Sequence, residues 1–186
     1  MKKEIKSGFI IFLIFTFVSG ILYPLFITGI AQIVFKTEAN GSLIELNNKV
    51  IGSKLIGQSF TEARYFHSRP SEVNYDASKS GGSNLGPTNK KLINRITSRY
   101  NELQNENPNS PVPVDLITSS ASGLDPHITL KAAFFQVPRI AKARNIPEED
   151  IINIIKHHIE RKLFGFIGEE RVNVLLLNIK LDRMKT

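Results

Sequence analysis

SGFIIFLIFTFVSGILYPLFITGIAQIVF, residues 7–35, is a run of 29 residues without a charged side chain. A helix that crosses the hydrocarbon core of a bilayer needs roughly 20 residues of this kind. At about 1.5 Å per residue, a helix of this length extends over about 40 Å. We therefore predict that residues 7–35 form one transmembrane helix.

A cleaved signal peptide is the alternative interpretation of this run. Signal peptides have apolar cores of roughly 7 to 15 residues, followed by a cleavage site of small residues. The run is longer, and its end, AQIVFK at 31–36, contains no Ala-x-Ala pattern. Its length favours an uncleaved anchor.

The charges beside the anchor predict its orientation. Lys2, Lys3 and Lys6 precede it, and a short positive tail is retained in the cytoplasm. The expected order is a cytoplasmic tail at residues 1–6, the helix at 7–35, and an external (periplasmic or extracellular) domain at 36–186. We thus expect a single-pass protein of the cell membrane, which is the inner or plasma membrane.

Small or polar residues recur at every fourth position of the anchor: Thr16, Gly20, Pro24, Thr28 and Gln32. Small residues let membrane helices approach closely, and a polar amide can hydrogen-bond a neighbouring helix. Gly20 and Gln32 are therefore candidates for contact with a partner. Because Gly, Ser and Thr are frequent in membrane helices, a helix that faces only lipid explains the pattern equally well. Pro24 also predicts a kink.

Composition limits the chemistry that is available. The chain has 186 residues and no cysteine, which excludes thiolate catalysis, cysteine zinc sites and disulfides. Its net charge of +7 divides into +2 in the tail and +5 from Lys36 onward. A mildly basic external domain can meet anionic lipid or an acidic partner surface. The sequence has no dense Lys/Arg block of the kind that indicates a nucleic-acid partner.

The region after the anchor mixes helix and strand signals and predicts the α+β class. We expect one N-terminal transmembrane helix followed by a single mixed α/β external domain. Residues 37–48 are polar and are interpreted as a connector. Residues 54–56 and 111–118 are interpreted as strands, and the prolines of the second limit it to an edge or a strand start.

Helix signals dominate the second half of the chain. A helix is predicted over 89–107, where apolar residues recur at steps of three and four. A second, capped by its first residue and interrupted by an internal proline, is predicted over 129–145. Pro147 suits the first turn of a third. Residues 171–184 fit a helix or a strand, and Asn173 as a cap favours the helix.

Two loops interrupt this pattern, at residues 67–87 and 119–127, and both are rich in Gly, Ser, Asn and Asp. Long loops without function are uncommon in compact domains, and binding residues gather on loops held by a scaffold. Arg69, Asn84 and Asp125 are therefore candidates for polar contact with a partner. For Asn84 and Asp125, local capping and turn formation are alternative roles.

The patterns for catalysis are weak, and we expect no catalytic and no metal-binding residue. His157 and His158 are adjacent, so they lie about 100° apart on a helix and cannot share a metal. The SGGS stretch at 80–83 lacks the flanking residues of a nucleophile elbow or a P-loop. A membrane-anchored external hydrolase that uses Ser83 or Ser122 with a histidine is an alternative, as is an anchored module that binds envelope polymers.

Motifs of pumps and channels are missing as well. The sequence contains no Asp-Lys-Thr-Gly-Thr phosphorylation motif, no Thr-Val-Gly-Tyr-Gly filter and no second apolar run of spanning length. A chain of this kind cannot form an ion pore or a phosphorylated pump by itself. The pattern predicts a non-catalytic accessory subunit.

Short motifs occur in one order along nearly the whole chain. They are YP (23–24), Gln32, ANGSLI (39–44), GSKLIGQ (52–58), YFHSRPS (65–71), SGGSNL (80–85), SASGLD (120–125), QVPRIAKARN (136–145) and VN (172–173). This set resembles the KdpC family, the C subunit of the Kdp potassium-transporting P-type ATPase. Ser68 departs from the family pattern, which usually has Gly there. If that Gly serves a positive φ, Ser68 is strained.

The resemblance implies a complex of several subunits. The expected partners are a channel-like subunit that binds potassium, a P-type ATPase subunit, a small stabilising subunit and membrane lipid. ATP and potassium would be handled by the complex, and this chain would bind no cofactor stably. The family's C subunit is described as a catalytic chaperone that raises the ATP affinity of the ATPase subunit.

The resemblance also assigns candidate residues. Gln136 matches the family's proposed nucleotide contact, and Arg139 in the same motif is a candidate for partner contact. The positive tail, however, predicts that Gln136 lies outside, away from cytosolic ATP. We therefore rank stabilisation or gating of the channel-like subunit's external mouth above direct contact with ATP.

The predicted orientation can be tested with reporters fused after Thr186. We expect a reporter that fluoresces only in the cytosol to be dark there, because the positive tail keeps the N-terminus inside. Alkaline phosphatase, which is active only outside, should be active at the same position. The same two reporters on a cytosolic carrier serve as controls, and cytosolic fluorescence of the first fusion would contradict the prediction.

Overall fold

The structure is a computed structural model that describes residues 2–184. Internal contacts divide it into two units, one up to Leu43 and one from Ile44 onward. The first unit is mainly helical, and the second combines short strands with helices. This combination confirms the predicted α+β class.

The first unit contains the apolar helix that was predicted. Helix α1 (Lys2–Phe17), a π-helical turn (Val18–Leu22) and helix α2 (Tyr23–Val34) follow one another without a break. Together they form 33 residues that are long and apolar enough to cross a membrane. A short helix, α3 (Lys36–Ala39), comes directly after them.

The helix widens just before Pro24. The Tyr23 N–H bonds to the Val18 carbonyl, five residues back, instead of four. Pro24 has no N–H to donate, and a π turn is a common irregularity at such a point. Because a wide turn rotates less per residue, it offsets part of the drift that a four-residue spacing accumulates on an α-helix. Apart from its two chain neighbours and the nearby backbone of its own helix, no described atom lies within 4 Å of the position of a Cβ on Gly20.

Strands β1 (Leu43–Leu46) and β2 (Lys49–Ser53) pair in a two-stranded sheet. They are joined by Asn47 and Asn48, whose φ angles of 51° and 60° suit a tight hairpin turn. The interpretation of residues 37–48 as a connector is therefore wrong. Polar residues on a half-exposed hairpin gave no alternation strong enough to reveal the strand.

The chain is irregular from residue 54 to 89, with turns but no helix or strand. The predicted strand at 54–56 is wrong, because the Ile56 N–H closes a turn onto the Ser53 carbonyl (3.3 Å). Helix α4 (Lys90–Glu106) follows, and the Asn89 side chain accepts a hydrogen bond from the Lys91 N–H (2.9 Å). The helix predicted over 89–107 is therefore confirmed, and so is its N-terminal boundary.

The predicted strand at 111–118 is also wrong. Only its first residues are extended, and helix α5 (Val114–Ile117) follows. The N–H and the hydroxyl of Thr118 both bond to the Val114 carbonyl, at 2.9 and 2.8 Å. These two bonds close a helical turn where β-branched residues had suggested a strand.

Strands β3 (His127–Thr129) and β4 (Arg171–Asn173) are antiparallel, with Ile128 opposite Val172 at the centre. Each strand ends on the residue that caps a helix. The Thr129 hydroxyl accepts from the Ala132 N–H (3.2 Å), and the Asn173 side chain accepts from the Leu176 N–H (3.2 Å). Both predicted caps are confirmed.

The helices of the second half follow from these caps and from the prolines. They are α6 (Leu130–Phe135), α7 (Val137–Arg144), α8 (Glu148–His157) and α9 (Val174–Asp182). The break between α6 and α7 lies at Gln136, two residues before the proline that was expected to cause it. The final segment contains the helix that its cap favoured.

The core of the second unit lies between the β3–β4 pair and helices α6 to α9. Ile128, Ile140 and Leu177 are among its fully buried side chains. Phe66, from the irregular segment, is also fully buried in it. The Asn178 side chain on α9 holds Phe66 in place, because its oxygen accepts from the Phe66 N–H (2.8 Å) and its nitrogen donates to the Phe66 carbonyl (3.0 Å).

We expect Asn178→Ala to destabilise the full chain by about 2–4 kcal/mol, because it leaves two buried backbone groups of Phe66 without a partner. Urea unfolding in mild detergent would measure the loss. Asn153→Ala, on the exposed side of α8, is the matched control and should change stability by less than about 0.5 kcal/mol. Equal effects of the two substitutions would contradict this role of Asn178.

Candidate partner-binding site

The two long loops, residues 67–87 and 119–127, pack against each other. We call them the loop pair. The Gly81 N–H donates to the Ser122 carbonyl (2.9 Å), and the Ser120 N–H donates to the Pro70 carbonyl (3.0 Å). Segments that are far apart in sequence thus form one continuous surface.

Glycines permit this close packing. Gly123 has a φ of +70°, and a Cβ there would lie 2.6 Å from a Val73 methyl carbon and 2.9 Å from the Gly81 carbonyl oxygen. A Cβ on Gly82 would lie 3.2 Å from the Ala121 carbonyl oxygen. In the structure, Gly82 of the SGGS stretch therefore serves the contact between the loops.

Glu72 connects the loop pair to helix α4. Its carboxylate accepts from the Ser119 hydroxyl (2.6 Å) and from the Arg95 guanidinium (2.5 Å), and Arg99 lies 3.8 Å away. The hydrogen bond from Ser119 lowers the pKa of Glu72 below its ordinary value, and the two arginines add to this effect against the cost of burial. The charged form of Glu72 therefore stabilises the fold.

Arg69 and Asp125, two of the predicted contact residues, form an ion pair across the loop pair. A guanidinium nitrogen of Arg69 lies 3.3 Å from the Asp125 carboxylate, which also accepts from the His127 N–H (3.0 Å). Burial raises the pKa of Asp125, but the hydrogen bonds from His127 and the charge of Arg69 outweigh it, so the pKa is lowered. Both side chains remain more than a quarter exposed, at 29% and 28%.

A cavity of about 230 Å³ opens beside this ion pair. Its charged lining includes Arg69, Asp115, Asp125, Glu169, Glu170 and Arg171. Side chains of both signs surround the opening. Such a cavity is suited to polar side chains of a partner rather than to an apolar ligand.

Asn84 lies at the exposed end of the first loop. Its φ of 52° is in the left-handed region, which Asn tolerates better than most residues. Within residues 2–184, its amide has no hydrogen-bond partner. The side chain is therefore available to another molecule, and the backbone also fits the turn role that was its alternative.

Gln136 is buried, at 1% exposure. Its side-chain oxygen accepts from the His67 N–H (2.8 Å) and from Arg139 (2.7 Å), and its nitrogen donates to the His67 and Ala132 carbonyls (both 3.2 Å). These four bonds use the full capacity of a side-chain amide. The predicted nucleotide contact stays a prediction, and it requires that some of these bonds break.

Arg139 also bonds to the irregular segment that precedes His67. Its guanidinium donates to the Ala63 and Tyr65 carbonyls (2.5 and 2.9 Å) and pairs with Glu106 (2.8 Å). Its side chain is only 12% exposed. In this structure Arg139 contacts its own chain, and its predicted contact with a partner stays a prediction.

Ser68 adopts an ordinary backbone conformation, because it is not among the described residues with positive φ. It is 8% exposed, and its hydroxyl donates to the Gln58 carbonyl (3.4 Å). The departure from glycine therefore creates no strain.

The serines proposed for a hydrolase serve loop structure instead. The Ser122 hydroxyl pairs with the Ser120 hydroxyl (3.1 Å) and accepts from the Leu124 N–H (3.1 Å), and the Ser83 hydroxyl accepts from the Leu85 N–H (3.5 Å). Over the described part of the chain, neither hydroxyl bonds to a histidine. Nothing in this geometry favours the hydrolase alternative.

The two candidates of the anchor lie in the first unit. Gly20 is in the π turn. Gln32 is exposed, and its oxygen accepts from the Asn40 side chain (3.2 Å), which also donates to the Lys36 carbonyl (2.6 Å). The Gln32 amide thus stabilises the end of the anchor and keeps spare capacity for a partner.

A helix long and apolar enough to cross a membrane, followed by an α+β unit, is typical of a membrane-anchored protein. The family model described as K+-transporting ATPase, c chain, matches residues 5–183. The chain belongs to this family, the KdpC family, as its motifs predicted.

Relatives named potassium-transporting ATPase KdpC subunit match over nearly their whole length. The protein of Bradyrhizobium diazoefficiens is 50% identical over 98% of both chains. That of Rhodopseudomonas palustris strain BisB18 is 49% identical over 100% of both. That of Koribacter versatilis is 50% identical over 98% of this chain and 95% of its own.

Two important residues were missed by the sequence analysis. Glu72 anchors the loop pair, and Asn178 anchors the irregular segment, but neither lies in a recognisable local pattern. A carboxylate between two loops, or an amide on an apolar helix, reveals its role only through distant partners. The one available signal was Asn178 itself, a polar residue among the apolar residues of α9.

We expect Glu72→Gln to lower the stability of the full chain at pH 7. We also expect the variant to lose less stability than the parent as the pH falls from 7 to 3. Because the folded pKa of Glu72 lies below its unfolded value, its contribution is complete above the unfolded pKa, about 4.3. The contribution is lost as the pH falls through the folded pKa. Urea unfolding between pH 7 and pH 3 would measure this, with Glu45→Gln on the exposed side of β1 as control. An unchanged slope with pH would contradict the prediction.

Proposed function

We propose that this chain is the non-catalytic accessory subunit of a Kdp-type potassium-transporting ATPase and works in potassium uptake. The observation that carries the proposal is the match to relatives of that name over 98% of both chains. The match includes the apolar anchor as well as the α+β unit, so the same membrane-anchored architecture is expected in those relatives. An accessory role fits a site whose polar residues mostly bond within the chain.

The proposed orientation places the N-terminus in the cytoplasm and the α+β unit outside. Lys2, Lys3 and Lys6 support it. The anchor would then pack against a membrane helix of a partner subunit. Gly20 supports this contact, because no described side chain beyond its two chain neighbours comes within 4 Å of a Cβ position there and small residues permit close helix packing.

We infer that the loop pair contacts the external side of the channel-like subunit. Asn84 offers an unbonded amide at its exposed end, and Arg69 with Asp125 offers a partly exposed ion pair beside a polar cavity. Loops held by a rigid scaffold are typical binding surfaces. Glu72 supplies the rigidity, since it ties both loops to helix α4.

An effect on ATP affinity would be indirect in this arrangement. Gln136 uses its hydrogen-bonding capacity within the chain, so ATP and potassium would be bound by the other subunits. A subunit that binds the ATP-competent state of the complex more tightly raises ATP affinity by linkage, without touching the nucleotide. This mechanism makes the chaperone role compatible with an external position.

Asn84→Gly separates partner contact from turn formation, because Gly also tolerates positive φ while it removes the amide. We expect the variant to lower potassium-stimulated ATP hydrolysis of the assembled complex several-fold. Its thermal unfolding in detergent should stay within a degree or two of the parent, about 0.5 kcal/mol or less. ATP hydrolysis at increasing potassium concentrations would measure the effect.

The matched control is Asn47→Gly, the same exchange at φ 51° in the exposed β1–β2 turn. It should leave both hydrolysis and stability unchanged. If Asn84→Gly also leaves hydrolysis unchanged, the loop pair does not contact the partner through this amide. If Asn84→Gly loses stability and Asn47→Gly does not, Asn84 belongs to the fold.

A further inference from the structure

A second exposed apolar surface lies far from the anchor in sequence. Between helix α8 and strand β4, the chain forms a hairpin whose end carries Leu163, Phe164, Phe166 and Ile167. Their exposed fractions are 60%, 80%, 75% and 49%. We call residues 163–167 the apolar tip. Four large apolar side chains within five residues are a patch of the kind that marks an interaction site.

The base of the hairpin is firmly held. Glu160 and Arg171 exchange two backbone hydrogen bonds (2.8 and 3.2 Å), and their side chains pair at 3.2 Å. Lys54 and His127 lie 3.4 and 3.3 Å from the Glu160 carboxylate. The exposure of the apolar tip therefore does not come from a loosely attached segment.

The backbone of the apolar tip satisfies its own donors. Leu163 and Ile167 exchange two hydrogen bonds (2.9 and 3.0 Å). The Gly165 N–H bonds to the Lys162 carbonyl (3.1 Å), and the Phe166 N–H bonds to the Leu163 carbonyl (3.3 Å). A segment that enters lipid must satisfy its backbone groups internally, and this hairpin does so for most of its N–H groups.

Phe164 adopts an unusual conformation, with a φ of 53°. For a bulky residue this is costly, and such outliers cluster at functional sites. The conformation leaves the Phe164 ring four-fifths exposed. A ring with this exposure adds little to the packing of the core, so the core does not explain the conformation.

Charges flank the apolar tip on both arms. Arg161 and Lys162 precede it, Glu169 and Glu170 follow it, and the six residues LFGFIG between them carry no charge. Within the described chain, none of these four side chains forms an ion pair. An uncharged aromatic end between groups of both signs matches a bilayer interface, where acyl chains lie below headgroups that carry both charges.

We infer that the apolar tip inserts into the lipid interface of the membrane in which the anchor lies. The occupant is lipid rather than a protein groove, because the tip is internally hydrogen-bonded and bounded by charges of both signs. The anchor keeps the tip at a high effective concentration near a bilayer, so a shallow insertion suffices. The chain would thus contact the membrane at two places, through the anchor and through the apolar tip.

A single introduced cysteine tests this inference, because the chain has none of its own. Lys162→Cys, labelled with an environment-sensitive fluorophore, keeps the four apolar side chains. In the full chain in nanodiscs of zwitterionic lipid, we expect a blue-shifted emission. Lipids that carry a quencher near the headgroup should quench it several-fold more strongly than a label at Asn101→Cys on the exposed side of α4.

The double variant Phe164→Asn/Phe166→Ser should abolish the lipid quenching at Lys162→Cys. Asn tolerates the positive φ of residue 164, and circular dichroism would confirm that the variant is folded. Equal quenching with and without the two Phe residues would overturn the inference. So would a label that is exposed to a water-soluble quencher in the chain alone and shielded only in the assembled complex, because that result identifies a protein partner.

Discussion

Buried side-chain amides hold the irregular part of this chain to its core. Asn178 bonds both backbone groups of Phe66, and Gln136 bonds both backbone groups of His67. Asn173 adds a bond to the Lys54 carbonyl (2.8 Å). Backbone groups that leave water need such partners, and here side chains supply what a neighbouring strand supplies elsewhere.

The position of the loop pair depends on these bonds. A chain segment without helix or strand loses much conformational entropy when it becomes ordered. Several contacts together must therefore offset this cost. Glu72 provides one group of them at helix α4, and the Arg69–Asp125 pair provides another. With these internal contacts made, the Asn84 amide at the outer end bonds to no other described residue.

Large apolar side chains are exposed in succession along the anchor and at the apolar tip. In the anchor, no residue is buried within the described structure, as expected of a helix that faces lipid or partner helices. The tip is small, strained at Phe164 and bounded by charges. The exposed apolar anchor agrees with the family to which the chain belongs.

The sequence by itself determined the features that rest on local chemistry. Residues 7–35 revealed the anchor through length and lack of charge, and Thr129 and Asn173 revealed helix starts because a cap acts within three residues. The ordered motifs identified the family. Only the tertiary structure decided the strands β1 and β2, the helix at 114–117 and the roles of Glu72, Gln136 and Asn178. Asn178 and Phe66 are 112 residues apart, and a hydrogen bond between such distant residues leaves no periodic pattern in the sequence.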